Sequence, residues 1–265
     1  MVHLDRRGFL LRGGVLAGTA VASTYLDTLT RAARATAIPK VGSGVRRASA
    51  LVTGPYGALA PVTDQNGDDI LALPPGFSYV TFSRTGETMS DGTRVPRNHD
   101  GMGAFAGPGG TVRLIRNHEV RNGPGAMAQA VLGPQGTKYD RLGVGGTVTL
   151  DYDPRQRRLL RDFVSLNGTI VNCAGGIFQR QLGWISCEET VAGPNQGWAR
   201  PHGYAFLVPT AADATVPAVA LPAMGRFAHE AVAQDLRSGF IYETEDSDND
   251  SGFYRFRPAL RVVLT

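Results

Sequence analysis

Lysine is nearly absent from this chain: of its 27 basic residues only Lys40 and Lys138 are lysines, and the rest are arginine. That is a compositional bias first, although the planar guanidinium fork also suits phosphate oxygens. Cysteine is as scarce, with Cys173 and Cys187 alone, so one disulfide at most can form. No apolar run is long enough to be a stable membrane anchor; the longest candidate, the Gly/Ala-rich stretch at residues 13–23, is too short and too small in side-chain size. No sequence repeat of fixed period is visible. A large basic footprint is missing too, despite a formal charge of +4, because residues 1–37 hold five arginines against two aspartates, a net of +3 that leaves +1 for the remainder. A nearly neutral body excludes extensive nucleic-acid binding.

What is present is turn chemistry. The 265 residues include 34 glycines and 16 prolines, which favours many tight turns and short strands over long helices. Short runs rich in β-branched and aromatic residues occur at 76–82, 111–116, 146–152, 182–187, 203–208, 239–244 and 252–257, each bounded by turn residues. Many short strands at fairly even spacing mean an all-β sandwich, barrel or propeller. His118-Glu119, Glu188-Glu189, His229-Glu230 and Glu245-Asp246 recur at strand ends. Sheets repeated around a central axis would bring such ends to one face, whereas a sandwich would scatter them between two.

The N-terminus has its own logic. Asp5-Arg6-Arg7-Gly8-Phe9-Leu10-Leu11-Arg12 followed by a weakly apolar stretch, with Ala35-Thr36-Ala37 as a small-x-small cleavage site, resembles a helical twin-arginine export signal spanning residues 1–37. Recognition by the twin-arginine export machinery would put the mature chain in the periplasm or outside the cell, and that route suits proteins that acquire a metal before leaving the cytoplasm. Residues 38–60 read as an extended arm, and 61–265 as the folded body.

Several segments could hold a cation. Asn98-His99-Asp100-Gly101-Met102 and Arg116-Asn117-His118-Glu119 set neutral oxygen or imidazole donors beside a carboxylate, workable for hard cations but equally a pair of hydrogen-bonded turns. Glu188 and Glu189 end an apolar strand side by side, where one faces in and the other out. Glu230, flanked by Phe227, Ala228 and Ala231, is costly to bury without a cation; the alternative is a surface hairpin. The run from Glu245 and Asp246 to Gly252 is the most acidic, but its glycine falls one place late for an EF-hand and no acidic residue closes the loop, so a solvated turn competes with a calcium loop there. Asn172-Cys173-Ala174-Gly175-Gly176 sets a thiol beside a permissive Ala-Gly-Gly turn. On the residues alone, an even cysteine count in an exported chain favours a Cys173–Cys187 disulfide.

Residues 165–176, followed by Trp184-Ile185-Ser186-Cys187-Glu188-Glu189, closely resemble the hallmark of the PhoX-type alkaline phosphatases. So do residues 224–231, 242–246 and 251–256 and His99-Asp100-Gly101-Met102, in the same order over residues 75–258, and the leader before them. The resemblance implies a β-propeller carrying Fe(III) and Ca2+, of which this chain would form the N-terminal set of blades, because the family continues beyond the strand read at residues 261–265. It implies that Cys173 supplies a thiolate bridging the irons, which reverses the disulfide reading. By the same resemblance Glu119, one or both of Glu188 and Glu189, Glu230, and Glu245 or Asp246 are carboxylate ligands, and Arg116 and Arg226 are phosphate clamps. The activity implied is hydrolysis of small phosphate monoesters by an exported monomer. Two rivals stand beside it: a calcium-dependent propeller hydrolase of lactones or phosphotriesters, and an inactive partial propeller. The chain departs from the family at residues 177–183, where a Thr-Pro-Trp-Gly-like stretch is usual, so the loop beside Cys173 is expected to differ in shape.

Overall fold

The computed structural model describes residues 55–258. The leader at 1–37, most of the 38–60 arm and the strand expected at 261–265 lie outside the described residues. The chain divides into two compact units, Met1–Tyr79 and Val80–Thr265. In the described part of the first, β1 (Ala60–Val62) pairs antiparallel with β2 (Leu71–Leu73). The Tyr79 hydroxyl accepts the Ile70 N–H at 2.9 Å and donates to the Asp68 carbonyl, closing that hairpin.

The second unit is all-β, with no α-helix among the described residues. Its strands form three antiparallel sheets, each a meander whose spatial order follows the sequence. The first contains β3 (His99–Ala106), β4 (Val112–His118), β5 (Gly145–Asp153) and β6 (Arg158–Thr169). The second contains β7 (Asn172–Phe178), β8 (Gly183–Glu188) and β9 (Ala205–Pro209). The third contains β10 (His229–Gln234), β11 (Ile241–Glu245) and β12 (Phe253–Phe256). The strand expected at 76–82 does not form. Its aromatic residues make side-chain contacts instead, as where Phe82 stacks on Tyr152 with ring centroids 4.9 Å apart.

Two-residue periodicity explains how the sheets stack. Along β8, Trp184 packs with Phe105, Ile115, Leu166 and Phe206 against the first sheet. Its neighbours Ile185 and Cys187 turn the other way, joining Met224, Val232 and Ile241 against the third. A strand buried on both faces is mostly apolar, which is why Trp184, Ile185 and Cys187 fall in one short run, with buried Ser186 satisfied by the Asn172 amide. Each fully buried side chain of this size contributes about 1.5–3 kcal/mol. A third cluster, including Val148, Leu150, Val164 and Trp198, covers the outer face of the first sheet.

The first strand of each sheet lies beside the first strand of the next: β7 packs against β3, and β10 against β7. Backbone approaches this closely only where side chains are missing. A Cβ on Gly101 would stand 2.7 Å from the Ala174 Cα, and one on Gly176 only 2.1 Å from the Val232 carbonyl oxygen. The Ala-Gly-Gly segment after Cys173 is therefore strand and not turn, and its glycines are where neighbouring strands press in.

Candidate metal centre

In antiparallel meanders the start of one strand lies beside the end of its neighbour, so His99 faces His118, Asn172 faces Glu188, and His229 faces Glu245. These three rims meet. The side chains of Asp100, Glu119 and Cys173 can present ligand atoms within 4.8 Å of one another, and so can Cys173, Glu189 and Glu230. Cys173 belongs to both groups. Its Sγ lies 3.7 Å from Asp100 Oδ1 and 3.6 Å from each Glu230 oxygen.

Irregular pairing aims these side chains. The β3–β4 ladder slips between His99 and Met102, β7–β8 between Asn172 and Gly175, and β10–β11 between His229 and Ala231. Asp100, Cys173 and Glu230 each occupy one of those interruptions, where a bulge bends the strand and re-aims its side chain. The bulge carbonyls of Cys173 and Ala174 accept hydrogen bonds from the Asn117 amide, whose oxygen accepts the Trp184 indole N–H at 2.9 Å. Glu119 is held by its backbone, which exchanges hydrogen bonds of 2.8 Å with Asn98. The Glu189 N–H donates to the carbonyl of Val171, a β-branched residue at φ 49°, a left-handed conformation that costs of order 1–3 kcal/mol and is typically kept beside functional sites.

The local electrostatics favour a cation. Burial first, and then the charge of Glu119, raises the Asp100 carboxyl above its ordinary value. Burial and the neighbouring Glu189 do the same to Glu119. The Cys173 thiol is pushed well above the thiol range by burial and then by Asp100, Glu230, Glu189 and Glu119. Four carboxylates around one thiol repel the thiolate unless a multivalent cation inverts the balance. Ligands of one ion at metal–ligand distances of about 2.0–2.3 Å lie roughly 3–4 Å apart, which the sulfur-to-oxygen spacings match. An oxygen-rich set with a shared sulfur therefore fits metal ions.

The other residues expected from the sequence lie elsewhere. Glu188 points away from its neighbour: fully buried, it accepts the N–H groups of Ile170, Gly203 and Tyr204 and contacts His202 Nδ1 at 2.7 Å. His202 reaches Asp140 with its other nitrogen at 3.2 Å. The contacts with Glu188 and Asp140 outweigh burial and raise the imidazole above its ordinary value, and the trio is a buried hydrogen-bonded staple. Glu245 accepts from Gly252 N–H and the Tyr254 hydroxyl, and the exposed Asp246 donates its backbone N–H to Ala228; neither is among the converging ligand groups. Arg116 is buried on the face of β4 opposite Asn117, bonded to Ser83 and His118. Arg226 donates to the carbonyls of His202 and Val191.

His118 and His99 stay neutral, lowered to about 3 and about 4 by burial first and by Arg116 second. Both cysteines are free thiols, Cys187 in the core and Cys173 in the cluster, so the disulfide favoured by residue count does not form. The divergent stretch at 177–183 is the β7–β8 hairpin, at the far end of β7 from Cys173 and not beside it. Asp100 lies in a segment the sequence offers to a cation without being singled out as a ligand; Asn117, offered there as a neutral donor beside Glu119, supports the main chain under Cys173 instead; and Arg121 and His202 are not among the residues the sequence singles out. For Asp100 the signal was its place in a resembling motif; Arg121 had none.

The family model described as "Alkaline phosphatase PhoX" matches residues 54–264. Comparison with curated proteins and with solved structures found no match.

Proposed function

The chain belongs to the PhoX alkaline phosphatase family, and from that premise we propose that it is an exported, metal-dependent phosphatase hydrolysing small phosphate monoesters at the Cys173 cluster. Cys173 as a thiolate, with Asp100, Glu119, Glu189 and Glu230 as carboxylates, would hold ferric iron and calcium. The observation that carries this reading is the position of the Cys173 sulfur, common to two groups of converging carboxylates.

Bound there, ferric iron and calcium would supply Lewis acidity and neutralise phosphate oxygens as charge moves to the leaving group. The chain's own residues then have simpler work. The bulged strands hold the ligands at fixed directions, Asn117 locks the main chain under the sulfur, and the tight β3–β7–β10 packing keeps the ligands preorganised. In the same reading the three meander sheets are successive blades of a propeller, with β3, β7 and β10 as inner strands; their sequential order and adjacency support it. Residues 1–37 would direct twin-arginine export to the periplasm or beyond, and the mature protein would act as a monomer. Among the described residues no helix is long and apolar enough to cross a membrane.

The test is metal content with p-nitrophenyl phosphate turnover on the full chain loaded with ferric iron and calcium. Cys173→Ala should lose iron and turnover together. Indifference to that substitution, or a calcium-only protein that hydrolyses lactones, would overturn the proposal.

A further inference from the structure

Arg121 lies three residues past the end of β4, and its Nη2 meets both Glu119 Oε1 and Glu189 Oε2, the latter at 2.7 Å. Those two carboxylates are mostly covered, with side-chain exposures of 16 % and 15 %, while the Arg121 side chain is 55 % exposed. It thus stands at the mouth of the cluster. A single positive charge offsets only part of the four converging carboxylates, so Arg121 holds two of them against repulsion without satisfying the site. The two arginines expected to clamp phosphate are engaged elsewhere, Arg116 inside the first sheet and Arg226 on backbone carbonyls.

We infer that Arg121 is a phosphate-binding residue of this centre, kept on Glu119 and Glu189 until metal ions take those carboxylates. The inference rests on the metal-centre reading above. Once the carboxylates are committed to metal, their hold on the guanidinium weakens. A planar group with five N–H donors can then present two of them to one phosphate oxyanion, as arginine does wherever bidentate anion recognition is needed. Its position on the exposed side of the ligands directs that fork to solvent, where a phosphate monoester arrives.

The test compares the native full chain with Arg121→Gln and Arg121→Lys in two titrations: ferric iron with calcium, read as bound metal and thiolate-to-iron absorption, and inorganic phosphate on the metal-loaded proteins, read by calorimetry. Arg121→Gln should bind the metals at least as tightly as the native chain, since an internal competitor is gone. Its phosphate affinity should fall tenfold or more, and Arg121→Lys should recover part of the loss. Unchanged phosphate affinity in metal-loaded Arg121→Gln overturns the inference. So does loss of metal from a folded Arg121→Gln, which would make the residue a strut for its ligands. A native chain that takes up neither metal sinks the metal-centre reading and this inference together, whereas the other two results leave that reading standing.

Discussion

The side-chain amide of Asn117 donates to the backbone carbonyl of Cys173 at 2.9 Å, so a residue of the first sheet fixes the main chain that presents a thiol in the second. The same nitrogen reaches the Ala174 carbonyl at 2.7 Å. A bulge deprives these carbonyls of ladder partners, and the amide replaces what the ladder cannot supply.

Asn117→Ala should therefore be costly out of proportion to its size. It strands the Trp184 indole N–H and two bulge carbonyls in a fully buried place, for an expected loss of about 2–4 kcal/mol in urea unfolding. Metal uptake should weaken in parallel. A loss below about 0.5 kcal/mol, the scale of an ordinary surface change, would mean that water or a neighbour takes over the amide's role.

Gly176→Ala tests the close approach of β7 and β10. Its Cβ would stand 2.1 Å from the Val232 carbonyl, a collision with backbone that only strand separation can relieve. Expected are a destabilisation of about 2–4 kcal/mol and a loss of metal binding, because Glu230 moves with β10. Retention of both stability and metal would show that β7 and β10 can part without consequence.

Thiol chemistry should separate the two cysteines. Ellman titration in denaturant is expected to find two free thiols. In the folded, metal-free chain the half-buried Cys173 should react first and faster as pH rises, because burial and the surrounding carboxylates hold its thiol above the ordinary range. Cys187, fully buried, should wait for unfolding. Metal should protect Cys173. A cross-linked Cys173–Cys187 peptide in mass spectra of the mature protein would contradict the arrangement.

Buried polar groups beside the cluster predict a pH dependence of stability. His229 Nδ1 and Glu243 Oε2 face each other at 3.4 Å in the interior, and neither atom makes a hydrogen bond. Burial raises Glu243 to about 7 and lowers His229 to about 4. For Glu243 the folded value lies above the unfolded one, so its neutral form stabilises the fold fully below the ordinary value of 4.5 and is lost as pH rises through about 7. For His229 the folded value lies below the unfolded one, so stability is lost as pH falls from 6.5 towards 4. Glu243→Gln should thus be more stable than the native chain at pH 8, by about 2 kcal/mol, with the gap closing as pH falls towards the ordinary carboxyl value. A gap independent of pH in chemical-denaturation curves would refute the assignment.

Six apolar runs legible in the sequence coincide with β4, β5, β8, β9, β11 and β12. They were readable because β-branched and aromatic residues between turn signals report a half-buried or fully buried strand directly. The strands that carry the converging ligands, β3, β7 and β10, were not read as strands. They contain Gly101, Gly103, Gly175 and Gly176 with His99, Asp100, Cys173 and Glu230, residues that local propensity assigns to turns. Those residues sit in strands because neighbouring backbones press against the glycines and because the polar groups converge on one another.

Composition, turn spacing and the ordered motifs were enough to determine an all-β chain of the PhoX family. Which carboxylates meet the sulfur was decided only by tertiary structure. Asp100 and Glu230 lie 73 and 57 residues from Cys173 along the chain, and adjacent Glu188 and Glu189 part company, one into a buried staple and the other to the cluster. No local preference encodes such a meeting. It depends on interrupted ladders in three separate sheets being held in mutual register by packed side chains and by one buried amide, and those forces exist only once the sheets have come together.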